Sequence, residues 1–177
     1  MLFQQQPKSA TEAAISVGFL SADAPLAEEM ARVHAAAWGH LYPDWDEAVA
    51  LAELRSHRAD GSLPATLVLR GDGVYTGSVS VIFNDCAARP DLNPWLASLY
   101  VAPSARGRGF GSRLVQGAVD LAAAAGEQRL YVFTESAAGL FESHGFHLID
   151  RTSLHGHPID ILERVLEAPE DRTAFPA

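Results

Sequence analysis

Three glycines and two arginines alternate in Arg106-Gly107-Arg108-Gly109-Phe110-Gly111-Ser112, with Arg113 next and no acid among them. These residue types bind anions. Backbone N–H groups at a helix start have no partner within the helix and point outward. Glycines let a phosphate approach the backbone without meeting a Cβ. Guanidinium groups add charge-assisted hydrogen bonds to phosphate oxygens. Two other phosphate motifs fail on spacing. A P-loop needs a lysine after its last glycine, and the chain's one lysine is Lys8. A dinucleotide fingerprint needs a glycine where Ser112 stands. The spacing alone therefore points to an anion-binding turn without identifying the anion.

Such a turn needs a strand before it and a helix after it. Trp95 to Val101 is rich in large apolar residues and ends at Pro103, as a buried strand would. Gly109 to Ala125 carries Leu114, Val115, Ala118 and Leu121 on one helical stripe, with Gly126 as a C-terminal cap. Leu130 to Phe133 reads as the next strand, giving a parallel, right-handed βαβ unit. Upstream, a strand is expected at Ala14 to Leu20. Helices are expected at Ala24 to His40 and Asp46 to Arg58, the second with Val49, Leu51, Ala52 and Leu54 on its apolar side. Ala65 to Arg70 and Val74 to Phe83 flank Gly71-Asp72-Gly73 and read as a hairpin. Downstream, a short helix at Ser136 to His144 precedes strands at Phe146 to Ser153 and Pro158 to Leu166. The order β-α-α-β-β-β-α-β-α-β-β predicts an α/β chain with a mixed sheet and helices on its faces. One domain over 14–167 is expected, with polar tails at 1–13 and 168–177.

Composition narrows the function. The formal net charge is −9, which disfavours nonspecific binding to nucleic acid or to an anionic membrane. No run approaches the roughly 18 to 20 apolar residues of a membrane helix, and the first residues lack the pattern of a secretory signal. Cys86 is the only cysteine, so no internal disulfide and no thiolate metal cluster can form. A single thiol fits a reducing, cytoplasmic setting. His155-Gly156-His157 offers two imidazoles without a nearby third ligand, too little to indicate a metal.

The turn Arg106-x-x-Gly109-x-Gly111 resembles the Arg/Gln-x-x-Gly-x-Gly/Ala motif of the GNAT acetyltransferase superfamily. Leu99-Tyr100-Val101-Ala102-Pro103 before it resembles that family's fourth strand. A second block, Ala137 to Phe146, resembles the family's Ala-x-x-Leu-Tyr-Glu-x-x-Gly-Phe pattern. Leu63 to Val68 and Arg89 to Ala97 resemble a bacterial subgroup. The resemblance covers roughly residues 14 to 167. It implies acetyl-CoA as co-substrate, no metal, and a small-molecule amine as acceptor, with a homodimer as a family expectation. It places Leu99, Tyr100 and Val101 along the pantetheine arm, and Arg106, Gly107, Arg108, Gly109, Phe110, Gly111 and Ser112 on the pyrophosphate. Thr134 and Phe141 fall in the same cleft by analogy.

The chain departs from the family at the position of the usual general-acid tyrosine, which is Phe141 here. Tyr100, Tyr131 and His144 are the nearby groups that could carry a proton instead. Each has a plainer reading, core packing for the tyrosines and a helix end for the histidine. The two helices after the first strand shape the acceptor side in this family. From Asp23 to Asp60 there are eight acids and three arginines, which favours a cationic amine. Trp38, Tyr42, Trp45 and Trp95 are candidate pocket aromatics, and Asp85 and Asp91 candidate ammonium ligands or bases. An N-acetyltransferase is the leading reading. A GNAT-fold acyl-CoA sensor is the alternative.

Overall fold

A computed structural model of the protein describes residues 14–167; the tails expected at 1–13 and 168–177 lie outside the described residues. Asp72 and Gly73 both adopt positive φ, 50° and 81°, the conformation that a tight two-residue hairpin requires. They join β2 (Ala65–Gly71) to β3 (Val74–Ile82). The Asp72 carboxylate accepts from the Ala14 N–H, which docks β1 (Ile15–Phe19) antiparallel along β2 from Ile15↔Gly71 to Phe19↔Leu67. β4 (Trp95–Val101) continues the antiparallel run, and β5 (Arg129–Thr134) lies parallel to β4. β6 (His147–Leu154) and β7 (His157–Val165) form a hairpin with β7 against β5. The seven strands take the order β1-β2-β3-β4-β5-β7-β6. The predicted mixed sheet and element order are observed.

β2 is buried along Ala65 to Leu69 because helices cover both of its faces. Leu67 and Leu69 pack with Leu114, Val115 and Ala118 of α3 (Phe110–Ala124). Val68 points the other way, against Met30 of α1 (Leu26–Trp38) and Leu54 of α2 (Glu47–Ser56). The stripe expected on α3 is the buried one. On α2 the apolar side is turned: Ala50 and Leu54 are buried, whereas Val49 is 45% exposed. Asp46 caps this helix, its carboxylate accepting from the Val49 N–H at 2.9 Å. That bond fixes Val49 in the solvent-facing first turn. α4 (Ala138–Glu142) is shorter than the sequence predicts.

Between the α1–α2 pair and the sheet lies a buried polar seam that the sequence reading missed. Ser78 and Ser80 alternate with valines on β3, which turns both hydroxyls toward the helices. His34 Nε2 meets Ser78 Oγ at 3.3 Å, and Ser78 Oγ also meets the Tyr75 hydroxyl at 2.9 Å. His57 Nδ1 meets Thr66 Oγ1 at 2.7 Å, and Thr66 Oγ1 meets Ser80 Oγ at 2.8 Å. No buried side-chain polar atom among the described residues lacks a partner.

Burial lowers both imidazoles to about 4, with the His57 charge adding to the effect on His34. A folded pKa below the unfolded value of 6.5 gives stability that is present above 6.5 and lost as pH falls through about 4. We therefore expect the midpoint of thermal unfolding to fall less steeply between pH 6.5 and 4 in His57→Asn than in the wild type. Identical slopes would show that His57 does not titrate on unfolding.

Candidate active site

β4 and β5 share one registered pair, Trp95↔Tyr131, and then separate. β4 also carries a bulge. Ser78 faces Tyr100 and Ser80 faces Ala97, so Ser98 and Leu99 together oppose the single residue Val79. Ser98 takes up the distortion at φ 52°, in the left-handed region. The bulge and the splay leave backbone polar groups of β4 with no strand partner on the β5 side. A cavity of about 650 Å³ opens there. Its walls include Ser98 and Leu99 from β4 and Val132 to Ala137 from β5 and the segment after it.

Past the end of β4, Pro103 to Ala105 form a short 3-10 turn, and Gly107 and Gly109 follow at φ 74° and 80°. A Cβ at either glycine would meet no heavy atom within 4 Å, so the backbone there is open to an incoming group. Gly109 ends the turn as the residue before α3. Among the described residues, the N–H groups of Gly107 to Ser112 find no acceptor. Arg106 reaches back, its Nε donating to the Val101 carbonyl at 3.0 Å, and so holds the turn against the strand end. The Arg108 guanidinium lies 5.1 Å from the centre of the Phe110 ring. The turn thus offers unpartnered N–H groups and open glycine backbone just past the end of β4, an arrangement that suits an anion.

The opposite wall comes from the segment joining α1 to α2 and from the loop before β4. Trp38, Tyr42, Trp45, Glu53 and Asp85 all face the cavity. The Trp45 indole donates to Glu53 at 3.0 Å. The Tyr42 hydroxyl sits 3.4 Å from Asp85 Oδ1 and 3.2 Å from the Asp85 carbonyl, donating toward both. Burial and the nearby Glu53 charge raise the Asp85 carboxyl to about 7 against the opposing Tyr42 hydrogen bond. Burial, with the Asp85 charge, keeps the Tyr42 phenol protonated far above its ordinary range. Two carboxylates and three aromatic rings around one opening suit a cation.

The cavity thus gathers Trp38, Trp45, Asp85, Leu99, Thr134 and Phe141 from the sequence candidates. The structure places other candidates outside the cavity wall. Trp95 is fully enclosed, its indole donating to the Leu92 carbonyl at 2.7 Å. Tyr131 packs beside it with ring centres 5.7 Å apart, away from the cavity wall. Asp91 is exposed and paired with Arg89 at 2.7 Å. The Tyr100 ring stacks on Tyr75 under α1, so only its backbone borders the open edge. His144 lies at the end of α4, where its carbonyl accepts from Arg164, and it is not among the cavity residues. Phe141 is buried against Phe146 and contributes an apolar surface to the cavity.

The sequence reading missed Glu53 as a site residue, along with His57, which also borders the cavity. The acid excess of the two helices was the available signal for Glu53. Nothing in the sequence distinguished it from the exposed acids around it.

The geometry matches known proteins. A family model described as the acetyltransferase (GNAT) family covers residues 27–146. No functionally curated protein matches the sequence. Among solved structures, yncA from Salmonella typhimurium, determined with acetyl-CoA, aligns over 93% of this chain and 99% of its own, with a TM-score of 0.67 at 20% identity. An aminoglycoside 6'-acetyltransferase type Ii aligns over 87% and 99%, with a TM-score of 0.65 at 15% identity. A GNAT acetyltransferase from Elizabethkingia anophelis, also with acetyl-CoA bound, aligns over 86% and 98%, with a TM-score of 0.61 at 14% identity. At these identities the structures establish the fold, and the family model extends from α1 to the end of the α4 block. The chain belongs to the GNAT acetyltransferase family.

Proposed function

We propose that this protein transfers the acetyl group of acetyl-CoA to the primary amine of a small cationic acceptor. The observation that carries the reading is the cavity where β4 leaves β5, with Ser98 and Leu99 on its strand edge and an aromatic–acidic wall opposite. The turn Gly107 to Ser112, whose N–H groups find no acceptor among the described residues, follows the end of that strand. This turn suits the pyrophosphate of coenzyme A, with Arg108 adding charge. The free edge of β4 suits the amide groups of the pantetheine arm. In this reading an N–H at the Ser98–Leu99 bulge polarises the thioester carbonyl, where charge develops as the amine adds. The acetyl-CoA bound to the Salmonella and Elizabethkingia proteins supports this use of the fold.

On the acceptor side, Asp85 and Glu53 draw the ammonium in, and Trp45 and Tyr42 line its path. Asp85 takes one proton from the ammonium, directly or through a water, and so frees the lone pair. The C–N bond forms and the C–S bond breaks; of the two protons still on the nitrogen, one passes to the departing sulfur and the other stays on the amide. A thiol has a reference pKa of about 8.5, so the thiolate leaves tolerably without the tyrosine that Phe141 replaces. Holding both reactants in one cleft supplies the rest of the advantage. A buried Cys86 fits a cytoplasmic setting for this reaction.

The reading is tested by following free thiol released from acetyl-CoA with diamines, polyamines, aminoglycosides, amino acids and neutral amines. Release that depends on the amine and is fastest with cations is expected. No release above background, with acetyl-CoA shown to bind, would favour an acyl-CoA sensor. The turn has its own test. Arg108→Glu should weaken acetyl-CoA binding by about tenfold or more, because a carboxylate then faces the pyrophosphate. Unchanged affinity in the folded variant would remove Arg108 from the site.

A further inference from the structure

We propose that His40, Glu135 and His157 form a binding site for one divalent transition-metal ion of the zinc class at the rim of the cleft. The three residues come from separate segments: the 3-10 turn Gly39–Leu41, the residue after β5, and the first residue of β7. The fold brings their donor atoms within 4.8 Å of one another. Glu135 spans the two imidazoles, with Oε2 2.9 Å from His40 Nε2 and Oε1 3.6 Å from His157 Nδ1. The two rings stand nearly perpendicular, with centres 5.1 Å apart.

These distances suit a small metal ion. Zinc holds nitrogen and carboxylate oxygen at about 2.0 to 2.2 Å, which in a tetrahedron separates adjacent ligand atoms by about 3.3 Å. The observed separations of 2.9 and 3.6 Å, one to each oxygen of Glu135, lie on either side of that value, and all the donor atoms lie within 4.8 Å of one another, so side-chain rotation can bring them onto one ion. Two imidazoles and one carboxylate favour zinc or its neighbours over magnesium and calcium, which prefer all-oxygen shells. No arginine pairs with Glu135 among the described residues, so no guanidinium competes for its carboxylate. The side chains of His40, Glu135 and His157 are 45%, 37% and 39% exposed, which gives an ion a way in and leaves a coordination position for water or a ligand group.

Glu135 also borders the cavity. A bound ion would neutralise that carboxylate and tie the turn after α1 to β5 and β7. The acetyl transfer described above needs no metal, and the metal site stands independently of that reading.

The test uses untagged full-length protein stripped by chelator and titrated with Co²⁺, followed by its visible d–d absorption, and with Zn²⁺ by calorimetry. One equivalent of Co²⁺ should bind and be displaced by Zn²⁺. His157→Ala and Glu135→Gln should each weaken binding by at least about tenfold, since even outer-shell substitutions at metal sites cost that much. His147→Ala, at an imidazole 3.7 Å from Glu163 on another part of the sheet, should leave it unchanged. Far-UV circular dichroism checks that the variants fold. Absence of the cobalt spectrum, or a spectrum that survives both ligand substitutions, would overturn the proposal.

Discussion

Asp85→Asn should lower kcat/KM for the amine by about 10²-fold, the low end of what a positioned base contributes. It should also stabilise the fold in mild alkali. Both effects come from one feature, a carboxyl raised to about 7 by burial and by the Glu53 charge. In the wild type the group ionises as pH rises through about 7, so the amine reaction gains a base there. The variant should lack that rise, while the ionisation of the amine itself affects both proteins alike. The stability effect has the opposite sense. A folded pKa above the unfolded value of 3.8 contributes stability that is present below 3.8 and lost as pH rises through about 7. At pH 8 the wild type therefore holds a buried charge that asparagine removes, while asparagine can still accept the Tyr42 hydrogen bond. The variant's Tm should lie above the wild type's at pH 8, and that advantage should shrink as pH falls below about 7 and vanish only near 3.8. Unchanged turnover would exclude Asp85 from the amine path. A lower Tm at pH 8 would make it a structural acid instead.

The largest stability effect is expected at Gly77→Ala. A Cβ there would lie 2.6 Å from the Tyr100 carbonyl oxygen, 3.0 Å from Leu114 Cδ1 and 3.4 Å from Val101 Cα. The first contact is with backbone, so no rotamer change relieves it. Either β3 or β4 must move, and α3 blocks the retreat. Overpacking of this kind costs about 3 kcal/mol, which in a chain of this size lowers Tm by roughly 6 to 12 °C. Gly139→Ala is the control, because a Cβ at that position meets nothing within 4 Å. The two variants should differ sharply in thermal unfolding, and equal values would refute the close approach. Since Tyr100 and Val101 form the edge assigned to pantetheine, any surviving Gly77→Ala protein should also bind acetyl-CoA more weakly.

Much of the architecture could be read from local pattern. The alternation of β3, the continuous apolar run of β2 and the stripe of α3 each report which faces are covered, because burial imposes the period of the element on its residues. The glycine turn was equally legible. Its chemistry is backbone chemistry, and glycines at fixed spacing before a helix announce it. The bulge at Ser98 was not. No glycine marks it, and the positive φ arises from how β4 must pair with β3 on one side while leaving β5 on the other.

The side chains of the acceptor wall were harder to read, for the same reason. The Asp-Trp-Asp setting of Trp45 was the one local signal among Trp38, Trp45 and Trp95; packing put Trp95 in the core and the other two on the cavity. Asp85 and Asp91 lie six residues apart in one loop. Arg89 captures Asp91 in solvent, and the fold buries Asp85 beside Glu53, which shifts only one of the two carboxyls to the neutral range. His40, Glu135 and His157 are far apart in the chain and meet only when β7 inserts beside β5. The sequence by itself determined the fold and the glycine turn before α3, since each depends on short-range period and backbone conformation, and its motifs carried the resemblance to the family. The tertiary structure alone decided which acids and rings face the cleft and at what pKa, because proximity and desolvation arise only when distant segments pack together.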